Sequence, residues 1–429
     1  MVTVGIGAAL PRVFLTMSQP SVPRILRPRR AAPADAVRPT RAEINLEALR
    51  HNLRVARRHA AGAQVWAVLK ADAYGHGAPA VARTLERARV DGFCVALLEE
   101  GIELREAGIV APILVMGAHG GTTGAAAEML ERGLTPVVHD LGEVAELARI
   151  VRAGAAPGPV DVHLKVDTGM ARLGVTMGEL PATAAGLAEF PEVRIRGLLT
   201  HLACADAPDP AVTLEALARF DNATGVLASH GIKPEVRHAA NSAAMLRGLG
   251  RLDLVRPGIA LFGVAPRAGG VSLSGELQPV MRVRTEIVAL RDLEPGATTG
   301  YGATWTAARR TRLATIPIGY ADGLSRRLGN RGQVLVHGRR APIVGAVSMD
   351  MTMVDVTDIE RASLRDEVVV LGSQDPIAWR DSSVRPVGQS VSVPAPSIDA
   401  DEIAAAEGTI PWEVLTSISR RVPRFYREP

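Results

Sequence analysis

QVWAVLKA (64–71) is an apolar run that ends on a lysine, and seven further strand-like runs follow it along the chain. They are GFCVALLEE (92–100), PILVMG (112–117), TPVVHD (135–140), VDVHLKVD (160–167), VRIRGLLTHLA (193–203), PEVRHAAN (234–241) and LDLVRPGIALFG (252–263). Ala-, Glu- and Arg-rich stretches with helical patterning separate them. The first helix, LEALRHNLRVARR, follows Asn45, a residue suited to cap its N-terminus. Strands that alternate with helices pair in parallel, and eight repeats favour a closed (β/α)8 TIM-like barrel over residues 41–274. An open doubly wound sheet is the alternative. After about residue 275 the pattern changes. MRVRTEIVAL, TRLATIPIGYADG, GQVLVHGRRAPIVGAV and MTMVDVTD are strand-like, with Gly, Pro and Asn turns between them. They predict a C-terminal mainly-β domain over 275–429. Within it, residues 373–397 are rich in Ser, Pro and Gly without periodicity and read as a surface-loop insertion. DADEIAAAEG follows as a short helix ending at Gly408.

Composition narrows the chemistry. The chain has 429 residues, 47% of them hydrophobic but only 14 aromatic, so Ala, Val and Leu must fill the core. Of 49 basic residues three are lysines: Lys70, Lys165 and Lys233. Lysine can shed a proton and attack a carbonyl, which arginine cannot, so a lysine kept in an arginine-biased chain is a candidate for that work. The net charge of +4 does not imply a nucleic-acid partner. Residues 1–41 carry seven arginines and one aspartate (net +6), leaving 42 basic and 44 acidic groups (net −2) for the rest. Residues 1–40 read as a disordered basic extension or a start site placed too early, with export the weaker alternative. Two cysteines, Cys94 and Cys204, make no disulfide framework, and no run of 18 apolar residues predicts a membrane span. A cytoplasmic protein without a metal site is expected.

In a barrel of this kind reactive residues project from the carboxyl ends of the strands. Lys70 stands at that end of the first run. LKVDTGMARLG brings Lys165, Asp167 and Arg172 to the same rim, THLACAD brings His201, HAANSAAM brings His238, Asn241 and Ser242, and VRPGIALFG brings Arg256 and Gly258. Phosphate sites form after strands 7 and 8, where the Ser242 hydroxyl and the backbone at Gly258–Ile259 lie. A lysine facing a phosphate site suggests an aldehyde cofactor that carries a phosphate, pyridoxal 5'-phosphate (PLP). Taken singly, each residue has an ordinary reading: a solvated lysine, a structural His201, a helix-capping Ser242, an ion-paired Arg256, a packed His163 and Cys204. Their convergence on one rim carries the argument.

Eight motifs in order, VLKADAYGHG, LKVDTGMARLG, THLACAD, HAANS, RPGIALFG, GYGATW, IPIGYADG and SMDMTMVD, resemble those of the alanine racemases, PLP enzymes of fold type III, over roughly residues 42–426. The resemblance implies that Lys70 carries PLP covalently and acts as base on one face of the substrate, with Tyr301 as base on the other. It implies a homodimer whose active sites are shared, Tyr301 coming from the second subunit. His201 would link Tyr301 to Arg256, and Arg256 would face the pyridine nitrogen. Arg172 would bind the substrate carboxylate, with Lys165 a candidate for carbamylation beside it. Met349, Asp350 and Tyr320 would narrow the substrate end from the partner's side, and Tyr74, Ser242, Gly258 and Ile259 would hold the phosphate. The family usually places a tyrosine where Trp412 stands here; an indole N–H donates but does not accept, so Trp412 would either take over part of the phosphate contact or only pack against the cofactor and its lysine. The implied function is interconversion of L- and D-alanine, supplying D-alanine for peptidoglycan. Three alternatives share parts of the pattern: a broad-specificity racemase, a decarboxylase of the same architecture, and a PLP-binding carrier built from the barrel alone. A decarboxylase would set a carboxylate where Arg256 stands, and a carrier would lack the β-domain.

Overall fold

The computed structural model describes residues 37–118, 124–268, 271–374 and 396–428. A short strand β1 (Arg41–Asn45) leads into helix α1 (Leu46–Ala60), whose first turn is capped by the Asn45 side chain accepting from the Glu47 and Ala48 N–H groups. The eight apolar runs then form β2 (Gln64–Val68), β3 (Gly92–Val95), β4 (Ile113–Val115), β5 (Thr135–Val138), β6 (Val160–Asp167), which also pairs with the short β7 (Val175–Thr176), β8 (Val193–Leu199), β9 (Val236–His238) and β10 (Leu254–Val255). Their order is β10-β2-β3-β4-β5-β6-β8-β9, every neighbouring pair parallel. The seam between β9 and β10 is drawn together by Asp253 N–H to Arg237 O (3.1 Å) and Arg256 N–H to Ala240 O (2.9 Å). All four residues of β3 and all three of β4 are buried, as strands are when helices cover one face and a filled barrel the other. The eight-strand reading holds, and the open sheet is set aside.

The second domain follows its period-two pattern. One sheet holds Met281–Glu286, Gln333–Val336, Arg339–Pro342, Glu367–Ser373 and Arg424–Arg427, and a three-stranded sheet holds Ala289–Leu293, Thr311–Ile316 and Thr352–Asp355. The first of these sheets also takes in β1, which pairs antiparallel with Met281–Glu286 and parallel with Arg424–Arg427. The barrel boundary expected at residue 41 therefore moves: Arg41–Asn45 belongs to the β-domain, and barrel residues begin with α1. The cause is electrostatic as well as geometric. Fully buried Glu43 receives Arg284 Nε (2.9 Å), Arg427 Nη2 (2.7 Å), Arg41 Nε (3.1 Å) and Arg282 Nη1 (3.2 Å), so one carboxylate on β1 gathers guanidinium groups from three strands. The helix at Ala400–Glu407 ends at Gly408 in a left-handed conformation, as expected. The extension at 1–40 lies outside the described residues except for its last four. Most of the 373–397 insertion lies outside them too, though its ends, Ser373 and Ser397, pair antiparallel. Among the described residues no helix is long and apolar enough to cross a membrane.

Removing the carboxylate leaves buried Arg282 and half-buried Arg284 with Glu367 as their remaining carboxylate partner, and takes that partner from Arg41 and Arg427, a loss on the order of 3 kcal/mol. Glu43→Ala should lower the urea midpoint of β-domain unfolding, followed by near-UV circular dichroism. An unchanged midpoint would contradict the role given to Glu43.

Candidate active site

The chain leaves β2 and turns sharply at Lys70. Ala71, Asp72, Ala73 and Tyr74 all take left-handed conformations, with φ of 54°, 54°, 55° and 52°. Four consecutive non-glycine residues in this region cost roughly 1–2 kcal/mol each, so the turn persists only if its surroundings hold it. Two carboxylates do. Glu100 accepts from Ala71 N–H (2.6 Å) and from Ala96 and Leu97 N–H (2.8 and 3.1 Å), tying the turn to the loop after β3. Asp72 accepts from Ala78 N–H (2.7 Å). From the other domain, Arg424 Nε donates to Gly75 O (2.9 Å), and a Cβ at Gly75 would collide with the Leu415 carbonyl.

The floor is built around Arg256. Its guanidinium is buried, and its partners are the Thr200 carbonyl (2.8 Å), the Ala239 carbonyl (3.2 Å) and His238 Nδ1 (2.6 Å). Arginine only donates, so His238 Nδ1 must accept, and its Nε2–H then donates to His163 Nδ1 (2.8 Å). This fixes both rings as neutral tautomers. Burial, with the Arg256 charge next for His238 and the Arg196 and Arg256 charges next for His163, pushes His238 well below its ordinary value and His163 down to about 4. Burial also lowers Arg256 to about 10. His163, expected only to pack, carries one end of this chain, and Gly197 is required because a Cβ there would collide with its ring. Among the described residues no hydrogen bond joins His201 to Arg256, and the imidazole hydrogen-bonded to the guanidinium is that of His238.

One cavity of about 470 Å³ opens above this floor. Lys70, Tyr74, Lys165, Arg172, His201, Asn241, Ser242, Arg256, Gly258, Ile259 and Trp412 all line it. Ser242 Oγ accepts from Gly258 N–H (2.9 Å), whereas the cap of its helix, Ser242–Arg247, comes from Asn241. A Cβ at Gly258 would meet the Tyr74 hydroxyl, so the glycine lets a phenol, a serine and a backbone turn converge. Opposite, Asp167 Oδ1 accepts from the N–H groups of Gly169, Met170 and Ala171, shaping the loop that carries Arg172. Cations dominate: burial first, then the charges of Arg172 and Arg256, lowers Lys165 to about 8. Burial and Arg172 lower Lys70 while Glu100 opposes them, and burial with Arg256 and Arg172 lowers His201 to about 3. Among the described residues, Asp206 is the single carboxylate of the lining.

Of the rim residues, Asp167 and His238 lie outside the lining, and the four residues expected from the partner's side do not line this cavity either. Tyr301 is 73% exposed, and Tyr320, Met349 and Asp350 stand on the surface of the β-domain. The turn bearing Tyr320 is joined to the Met349 loop through Tyr320 N–H to Ser348 O (3.0 Å), and Asp350 accepts from Arg421 Nη2 (2.6 Å). Sequence reasoning assigned no role to Glu100 and made His238 only a rim residue. The spacing of Glu100 behind Ala96 and Leu97, that of a carboxylate reaching back to a helix N-terminus, was the available signal.

Models of the alanine racemase N-terminal and C-terminal domains match residues 44–266 and 280–385. The chain belongs to the alanine racemase family. An alanine racemase of Sorangium cellulosum is 58% identical over 398 residues, covering 92% of this chain and all of the relative, and one of Symbiobacterium thermophilum is 42% identical over 394 residues, 91% and 98% of the two chains. A crystal structure of alanine racemase from Streptomyces lavendulae superposes with a TM-score of 0.81 at 32% identity, over 92% of this chain and 98% of that one. The family's two-domain architecture is thus the one described above.

The neutral histidines make the fold acid-sensitive. The folded pKa of His163 and of fully buried His76, at about 4 and about 3, lies below the unfolded value near 6.5. The unfolded chain therefore binds more protons between those limits, and stability falls as pH drops through 6.5. By pH 5 the loss is on the order of 2 kcal/mol per buried histidine, so the apoprotein's melting temperature should decline between pH 6.5 and 5. A flat profile over that interval would contradict the neutral tautomers.

Proposed function

We propose that the protein is a PLP-dependent alanine racemase, working as a homodimer in the cytoplasm and supplying D-alanine for peptidoglycan. The observation that carries this reading is the single cavity joining a lysine amine, a buried guanidinium without a carboxylate, and the cradle of Tyr74, Ser242, Gly258 and Ile259. These residues fit PLP. The glycine-opened cradle suits the phosphate, Lys70 can bond the aldehyde carbon, and Arg256 can meet the ring nitrogen. Trp412, on the cavity wall, offers an indole N–H and a flat face to the same group.

When bound, PLP acidifies the substrate's Cα–H by spreading the electron pair left behind. The chain's own groups direct where the proton goes. Lys70 Nζ, its proton affinity lowered by burial and Arg172, takes the proton from one face or returns it there. Tyr301 Oη, from a second copy of the chain, serves the opposite face, and inversion needs both. Its exposure, and its absence from the cavity lining among the described residues of its own chain, support that assignment. Arg172 holds the substrate carboxylate through a forked pair of donors. Lys165, with its amine partly neutral near pH 8, can take up carbon dioxide as a carbamate, and the new negative charge would steady Arg172. Met349, Asp350 and Tyr320 would close the substrate end from the partner's side. Arg256 disfavours a proton on the ring nitrogen, where a decarboxylase would keep one with a carboxylate, and so favours rapid return of the proton at Cα.

L-Alanine in heavy water should give D-alanine deuterated at Cα, read by mass spectrometry and chiral chromatography. Release of carbon dioxide, or no exchange, overturns the reading. Tyr301→Phe should lower kcat by at least a hundredfold while the bound cofactor's visible absorbance persists. Loss of that absorbance would remove Tyr301 from the role of base.

A further inference from the structure

His76 lies directly behind the Lys70 turn and is fully buried. Its Nδ1 stands 3.0 Å from the Ala73 carbonyl and 2.9 Å from the Tyr74 carbonyl. Carbonyls only accept, so Nδ1 carries the proton and donates to the last two residues of the left-handed turn. Its ring stacks on Phe262 (centroids 4.4 Å, 29°), and the Phe262 ring also lies 5.0 Å from the Tyr74 ring (34°). Phe262 ends the turn Ile259–Phe262 that follows Gly258, so one side chain touches both segments that frame the phosphate cradle.

The second ring nitrogen makes the case specific. His76 Nε2 is buried and, among the described residues, has no hydrogen-bond partner, which costs stability. A leucine of similar volume would fill the same space without that cost. What histidine adds is a donor at the δ position and a flat face for Phe262. We infer that His76 is a positioning residue for the phosphate end of the cofactor site, clamping the strained turn that bears Tyr74 against the Gly258–Phe262 turn. It stays neutral throughout, and it touches neither substrate nor reacting atoms.

This inference rests on the PLP reading above, and its test separates the two. Apoprotein is titrated with PLP and with pyridoxal, which lacks the phosphate, for the parent and for His76→Leu, His76→Asn and His76→Gln. Asparagine keeps an N–H donor at the δ position, whereas glutamine moves it one atom out. His76→Leu should weaken PLP binding at least tenfold while pyridoxal binding stays within twofold. His76→Asn should recover PLP affinity to within threefold of the parent, and His76→Gln should not. Parent-like PLP binding by His76→Leu, equal losses for PLP and pyridoxal, or equal behaviour of the Asn and Gln variants would each overturn it. If His76→Leu fails to fold, the Asn and Gln variants decide by the same comparison. A parent that binds no PLP would instead overturn the cofactor reading itself, and this inference with it.

Discussion

A guanidinium buried at the bottom of the barrel, with no carboxylate partner among the described residues, sets the terms for what surrounds it. Such a charge is tolerated only when its donors are satisfied, and Arg256 spends them on two carbonyls and an imidazole. That choice forces His238 to accept, which forces His163 to accept in turn, and the pair needs a glycine at 197 to fit between strands. A single unpaired cation thus dictates tautomers, packing and backbone across β6, β8, β9 and β10. It also leaves the cavity positively charged, with Lys70, Lys165 and Arg172 around the same space. On the proposed reading, that charge receives an anionic phosphate and a carboxylate substrate.

The second constraint is the strained turn beyond Lys70. Four left-handed residues in a row are stable here because the barrel, through Glu100, and the second domain, through Arg424 and the Leu415 carbonyl, both press on it. The β-domain is therefore more than a carrier for Tyr301. It completes the rim of its own barrel and, on the proposed reading, reaches into its neighbour's cavity as well.

Much of this was legible in the residues. Eight apolar runs marked eight strands because a barrel strand buries both faces and cannot hide its composition. The rim residues followed from strand ends, and Lys70 stood out because lysine is so rare in this chain. What escaped was non-local. RAEIN is five residues beside a strong helix signal, and its partners lie some 240 and 380 positions away, so its domain could not be read from its neighbourhood. His201 and His238 occupy equivalent strand ends in sequence, and only the packing decides which meets Arg256. Within YGHG the tyrosine drew attention, while the histidine's role depends on Phe262, 186 positions further on.

The central claim is that each active site is assembled from two copies of the chain, Lys70 on one and Tyr301 on the other. Mixing subunits tests it most directly. Lys70→Ala and Tyr301→Phe proteins, each inactive alone, are unfolded together and refolded as a mixture. Statistical pairing gives half mixed dimers, each with one intact site of two, so activity should return to roughly a quarter of the parent's. Failure to recover any activity, with mixed dimers shown to form, would place both residues in the same chain's site and contradict the account.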